Sequence, residues 1–280
     1  MTLFSWRAWC VTNGHQDEYQ SIVVRRPDQY GAYALTNDVP RSKATIIVTG
    51  ASRGIGAAIA IDLGLRGYAV AGLSRSGQLP AECGARATGH MCDMTNEAAI
   101  AATIAKIAAE GPITGLVNNA GQYESGASAT LEAADFDRLM RVNTTSVLIA
   151  SRECYPHLKA AGGGLIVNLG SFFEKLGVAQ HVAYCASKAA IGAITRCLAV
   201  EWARDHIRVL DVAPGYIETD FNQAYLAGGK GRALIEARVP LRRPGHTHEV
   251  AKLIGTLFDA DIRYLTGETI HIDGGQGINH

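Results

Sequence analysis

Tyr184 and Lys188 stand four residues apart in the run Tyr-Cys-Ala-Ser-Lys. If that run is helical, as its alanine-rich surroundings suggest, the two side chains share one helix face. An ammonium beside a phenol favours the phenolate, drawing a pKa of ~10 towards the range where a tyrosine can give and take protons in catalysis. Tyr184 is therefore a candidate acid-base. Tyr-x-x-x-Lys also arises on solvated helix faces, so its meaning depends on the elements around it.

A second chemical feature lies upstream. An apolar run ends in Thr49-Gly50-Ala51-Ser52-Arg53-Gly54-Ile55-Gly56 and passes directly into a helix-like segment. Glycines permit a tight turn and close backbone approach, which lets a helix amino terminus present its N–H groups to a pyrophosphate. The spacing differs from G-x-G-x-x-G, and a glycine-rich turn without ligand is the alternative. Strand, turn and helix nevertheless occur in the order a phosphate cradle requires.

The elements that must position these residues follow a regular pattern from Ala44 onward. Strands are expected at Ala44–Thr49, Ala69–Leu73, Gly115–Val117, Leu165–Leu169, Ile207–Val212 and Thr269–Ile272, with helices near 54–67, 96–110, 135–161, 184–204 and 247–259. This alternation predicts an α/β fold, a single Rossmann-type doubly wound parallel sheet with helices on both faces, over residues 43–280. Residues 1–42 read as an irregular extension with one short strand at Ser21–Arg25. Glycines at Gly228, Gly229 and Gly231 suggest a mobile lid across Phe221–Arg238.

Composition narrows the function classes. The 280 residues are 48% hydrophobic and 19% charged with formal net charge zero, an ordinary globular balance without the basic footprint of a nucleic-acid binder. No apolar run is long enough to span a bilayer, and the amino terminus lacks signal-peptide order, so a cytoplasmic protein without membrane attachment is expected. Cys10, Cys83, Cys92, Cys154, Cys185 and Cys197 form no C-x-x-C pair, which predicts reduced thiols and no metal site.

Taken in order, the motifs resemble those of the short-chain dehydrogenase/reductase family of the single-domain kind. The family's T-G-x-x-x-G-x-G corresponds to Thr49–Gly56, its adenine-side acid to Asp93, and its N-N-A-G to Asn118-Asn119-Ala120-Gly121. Asn143, Ser171, Tyr184 and Lys188 align with its catalytic residues, Pro214-Gly215 and Thr219 with its P-G-x-x-x-T segment, and Gly267–Gly275 with its closing strand. The resemblance implies hydride transfer between NADP(H) and a small-molecule carbonyl or alcohol, with Tyr184 as proton donor and Ser171 bonded to the same oxygen. Lys188 would tune the phenol and hold the nicotinamide ribose, and Asn143 would support a water linking Lys188 to solvent. It also implies a homo-oligomer, tetramer or dimer, packed through the helices near 135–161 and 184–204.

Thr49, Gly50, Ser52, Arg53, Gly54, Ile55, Gly56, Ser74, Arg75, Asp93, Met94, Asn119, Ala120, Gly121, Pro214, Gly215, Ile217 and Thr219 are the expected cofactor contacts, together with Tyr184 and Lys188. Where an NAD enzyme needs an acid after the second strand, this chain has Ser74 and Arg75; with Arg53 they favour the 2′-phosphate of NADP over NAD. Asn118 is expected to tie strands together. Segments 172–182 and 216–240 should shape the substrate pocket, offering Phe172, Phe173, Glu174, Gln180, His181, Tyr216, Phe221, Asn222 and Tyr225, of which Phe173, His181 and Tyr216 are the candidate substrate contacts. Two other functions stay open: an NAD-dependent sugar or polyol dehydrogenase, and a catalytically silent NADP(H)-sensing or scaffold protein.

Overall fold

The computed structural model describes residues 39, 43–220, 222–223, 226, 228–260 and 262–279. The expectations placed on residues 1–38 and 40–42, on Phe221 and on Tyr225 lie outside the described residues. Seven strands form one parallel sheet: β1 (Thr45–Thr49), β2 (Ala69–Ser74), β3 (Ala87–Met91), β4 (Ile113–Asn118), β5 (Gly164–Leu169), β6 (Ile207–Pro214) and β9 (Thr269–Ile272), in the order β3-β2-β1-β4-β5-β6-β9. The strand order reverses direction between β1 and β4. In such a sheet the crevice at the carboxyl ends of those two strands is where ligands bind.

The strands read as continuous apolar runs because both faces are covered. Ile46 and Val48 of β1 pack with Ile59 and Leu63 of α1 (Gly54–Leu65) and with Val250 and Ile254 of α7 (Thr247–Asp259). Ile47, one residue out of phase, points to the opposite face and meets Ile100 and Ile104 of α2 (Glu97–Glu110) and Ile149 of α4 (Ser146–Ala160). On that second face α5 (Val182–Trp202) contributes Leu198 and Trp202.

Three elements differ from the sequence expectation. Strand β3 (Ala-Thr-Gly-His-Met) lacks a β-branched run, and forms because β2 offers it an edge to pair with in register from Val70–Ala87 to Ser74–Met91. The expected helix over 135–161 is instead α3 (Ala133–Met140), a π-helical turn (Arg141–Thr145) and α4. Within the glycine-rich 221–238 segment, Gly229–Arg238 is helix α6, with Ile235 buried beside Leu226 and Val239. The remaining strands, β7 (Ile217–Glu218) and β8 (Gly245–His246), pair with each other.

The sheet is stitched by a buried polar ladder at the ends of its central strands. Asn118 Nδ2 donates to Asn168 Oδ1 at 2.9 Å and to Ser151 Oγ at 3.0 Å, and Asn168 Nδ2 donates to Thr195 Oγ1 at 2.9 Å. It joins β4 to β5 and anchors both to α4 and α5, as expected for Asn118. Among the described residues no helix is long and apolar enough to cross a membrane. Asn118→Ala would strand the acceptors on Ser151 and Asn168, and a stability loss of about 1–3 kcal/mol is expected in urea unfolding; an unchanged midpoint would show the ladder to be dispensable.

Candidate active site

The phosphate-type turn is built by strict steric demands. Gly50 (φ +68°) and Gly54 (φ +58°) occupy the left-handed region, and a Cβ on Gly56 would lie 2.3 Å from the Gly50 carbonyl oxygen. Thr49 does not line the cleft; it is buried, and its Oγ1 accepts from Asn119 N at 3.0 Å and Ala120 N at 2.9 Å. Asn119 Nδ2 returns a bond to the Thr49 carbonyl at 2.9 Å, so the ends of β1 and β4 lock together. No side chain caps α1 and no acid stands in its first turn, which leaves its positive end facing the cleft.

That cleft has a volume of about 610 Å³. Gly50, Ser52, Arg53, Gly54, Ile55 and Gly56 form its floor, Ser74, Arg75, Asp93 and Met94 one wall, and Asn119, Ala120 and Gly121 the other. The Ser74 hydroxyl is committed to its own turn: it accepts from Gly77 N at 3.0 Å and sits 3.3 Å from Ser76 Oγ. Arg75 is exposed beside it. Asp93 Oδ1 accepts from Thr95 N at 2.9 Å and Thr95 Oγ1 at 2.8 Å, bonds that hold its carboxyl below the usual range, with Arg75 adding to the effect. Helix α2 is capped by Asn96, whose side chain accepts from Ala99 N, so Asp93 does not begin it.

A dinucleotide fits these residues. Glycine is obligatory where a backbone would meet a pyrophosphate, the helix end carries no competing anion, and two guanidinium side chains border the cleft.

An inner cleft of about 410 Å³ adjoins the first, and Ile55, Asn119, Gly121, Gln122 and Thr219 line both. Ser171, Tyr184 and Lys188 come together in it, with Phe172, Phe173 and Tyr216 on one side and Pro214, Gly215 and Ile217 beneath. The Ser171 hydroxyl faces the same cleft as the Tyr184 phenol, near enough to oppose the rise in its pKa, and accepts from Phe173 N at 3.2 Å. Rings of Tyr123 and Phe173 stand edge-on to Tyr184 at 5.0 and 5.7 Å. Thr219 is held at the junction by Asn222, whose Oδ1 accepts from Thr219 N at 2.8 Å.

The electrostatics correct one sequence expectation. Burial pushes the Tyr184 phenol up to about 12, with the Ser171 bond opposing the rise, so the net direction is opposite to the one the Tyr-x-x-x-Lys spacing suggests. Lys188 Nζ lies 5.8 Å from the Tyr184 ring centroid and donates to the Leu169 carbonyl at 2.7 Å. Burial brings this amine down to about 8, against the pull of Asp211 and Glu174.

Other expected residues stand elsewhere. Asn143 lies in the π-helical turn, buried and outside both clefts: its Oδ1 accepts from Gln122 N at 2.7 Å, and its Nδ2 donates to Gln122 O at 2.9 Å and Ser187 Oγ at 3.1 Å. It fixes the Gln122 loop against α5. His181 does not line the inner cleft; Nε2 pairs with the Tyr123 hydroxyl at 2.5 Å and Nδ1 with the Ala179 carbonyl at 2.7 Å, placing it behind Tyr123. Gln180 is likewise outside the cleft lining, and Glu174 turns into the protein interior. Gln122 and Tyr123 line the cleft without having been expected, and Leu226 does so within the expected 216–240 segment without having been singled out. Gln122 and Tyr123 directly follow Gly121, which was the available signal.

Comparison with known proteins agrees with this geometry. A family model described as enoyl-(acyl carrier protein) reductase matches residues 50–276. The 3-oxoacyl-[acyl-carrier-protein] reductase FabG of Escherichia coli (strain K12) is 36% identical over 234 residues, covering 82% of this chain and 95% of the relative. A short-chain type dehydrogenase/reductase from Mycobacterium marinum superposes with a TM-score of 0.79 at 30% identity, covering 85% of this chain and 97% of that one. ElxO, solved with NADP bound, superposes with a TM-score of 0.78 at 28% identity over 84% of this chain and 98% of its own. With its parallel seven-stranded sheet and a family match across most of its length, this chain belongs to the short-chain dehydrogenase/reductase family.

Proposed function

We propose that the chain is an NADP(H)-dependent oxidoreductase interconverting a carbonyl compound and its secondary alcohol, with Tyr184 as the general acid and base. The observation carrying this reading is the convergence of the Ser171 hydroxyl and the Tyr184 phenol in a cleft that opens directly onto the phosphate-type cleft. Bound nicotinamide supplies or takes the hydride. In reduction, the Tyr184 O–H gives its proton to the oxygen that becomes alkoxide, while the Ser171 O–H donates to that same oxygen as its charge grows. A phenol pushed up to about 12 is fully protonated at neutral pH, which suits the reductive direction.

Lys188 contributes a positive field that lowers the cost of a phenolate once the proton has left, and its ammonium is the natural partner of the ribose hydroxyls. Asn143 acts on this centre by holding Gln122 and Ser187, the latter adjacent to Lys188. Phe172, Phe173, Tyr123 and Leu226 make the inner wall apolar and keep bulk water from the proton transfer. With Asn222, Gln122 and the Tyr216 ring beside them, the cleft suits a carbonyl compound that has both apolar and polar parts.

For the nucleotide, Arg53 and Arg75 border the cleft, and the residue that follows β2 is Arg75 rather than an acid that would repel a 2′-phosphate. Asp93 and Met94 would border the adenine, and the 119–121 backbone the adjoining ribose. Leu148 and Val200 are exposed on α4 and α5, at 44% and 82%, which supports self-association through those helices. The solution mass should then be a multiple of 29.7 kDa.

Two substitutions test this reading. Tyr184→Phe should abolish turnover, by at least about a hundredfold, while leaving NADPH binding by fluorescence titration within a few-fold of the parent; retained turnover would overturn the assignment. Arg75→Ala should weaken NADPH about ten-fold or more and leave NADH nearly unchanged, and tighter binding of NADH than NADPH by the parent protein would reverse the cofactor choice.

A further inference from the structure

Two buried carboxyls beside Lys188 take no part in the chemistry above. Glu174 ends the short 3₁₀ turn Phe172–Glu174 that follows Ser171, and its side chain is 6% exposed; Asp211 lies in β6 and is fully buried. Asp211 Oδ1 accepts from Gly170 N at 2.7 Å and Oδ2 from Thr269 Oγ1 at 3.2 Å. A Cβ on Gly170 would lie 2.6 Å from both Asp211 oxygens, so glycine is what lets this carboxyl sit against the peptide. The neighbouring Leu169 carbonyl is the acceptor for Lys188 Nζ. One short stretch of backbone thus holds the acid and the amine together.

Glu174 Oε1 lies 3.6 Å from His271 Nε2, while Oε2 is buried without a hydrogen-bond partner. The Glu174 and Asp211 carboxyls are within hydrogen-bond reach of each other. If both were ionised they would repel and leave Oε2 orphaned; one shared proton makes an O–H···O bond and removes both penalties. The other groups facing the pair are Lys188 and Arg196 from α5, Lys175 beside Glu174, and His271 and the neutral Thr269 from β9.

We propose that Glu174 and Asp211 form a proton-sharing pair whose negative charge keeps the buried Lys188 amine in its ammonium form, making them positioning residues for the Tyr184 reaction. This rests on the role given to Lys188 above. The hydrogen-bond acceptor of Lys188 is a neutral carbonyl, and burial without a counter-charge would strip its proton near neutral pH. Burial and the Asp211 neighbour push Glu174 up to about 7, so the pair gains its second charge just below the pH near 8 at which Lys188 would lose its proton.

Glu174 is raised above its ordinary value, so its contribution is complete at acid pH and is lost as pH rises through about 7. In Glu174→Gln an amide N–H replaces the shared proton permanently, and that loss disappears.

The test combines pH profiles of kcat/KM, NADPH affinity against pH, and thermal unfolding against pH for the parent, Glu174→Gln, Asp211→Asn and the double variant. The alkaline limb of kcat/KM should move to lower pH by about one unit in Glu174→Gln and further in the double variant, with NADPH affinity at alkaline pH falling in step. The unfolding temperature of Glu174→Gln should stay level between about pH 5 and 8, from just above the ordinary carboxyl value to about one unit above the raised one, while that of the parent declines. A folded Glu174→Gln protein with the parent's alkaline limb and the parent's decline would overturn the proposal. That protein decides alone if the Asp211 variants do not fold. Turnover by Tyr184→Phe would instead overturn the reaction assignment, while the stability signature of the pair would still be read independently.

Discussion

Burying the ammonium of Lys188 under the carboxyl end of β5 is the constraint around which the site is arranged. A lysine removed from water tends to lose its proton, and a carbonyl bond alone does not compensate. The end of β5 therefore turns its Leu169 carbonyl to the amine and its Gly170 N–H to Asp211, which brings negative charge within range of the positive. Tyr184, one helical turn before Lys188 on α5, is carried to the same place with its phenol towards Ser171. The position of α5 against the sheet thus sets the acid, the amine and the distance between them.

The sheet supplies the second part of the arrangement. At the reversal between β1 and β4, Thr49 and Asn119 bind each other's backbones, so the glycine turn and the 119–121 segment move as one unit. One strand further on, the Asn118–Asn168 ladder ties β4 to β5 and to the helix carrying Tyr184. Polar cross-links thus run from the phosphate-type cleft to the helix that carries Tyr184. Under the proposed reaction, that continuity would align the hydride site with the proton site to within the tolerance that transfer demands.

Much of this was legible in the residues, for identifiable reasons. Thr49–Gly56 and Tyr184–Lys188 are local: a left-handed glycine and an i, i+4 pair state their geometry within a few positions. Strand β3 was not legible, because Gly89 and His90 carry no strand pattern and the edge of β2 decides their conformation. The π-helical turn at Arg141–Thr145 has no compositional mark either, and it changes what Asn143 can reach. That His181 pairs with Tyr123 and stands outside the cleft lining was not legible, since the two lie 58 positions apart. The Tyr184 shift was misjudged in direction because spacing announces the nearby charge but not the burial that outweighs it.

The pairing of a depressed lysine with a raised carboxyl gives the site a defined charge balance at neutral pH, and Lys188 is its centre. The most direct measurement is an NMR titration of lysine 13Cε resonances, with the Lys188 signal identified by its absence in Lys188→Arg. A midpoint near 8 is expected, well below that of the surface lysines. A Lys188 signal titrating with the surface lysines at ~10.4 would contradict its burial, and an amine already neutral at about pH 6 would contradict the carboxyl support of its ammonium.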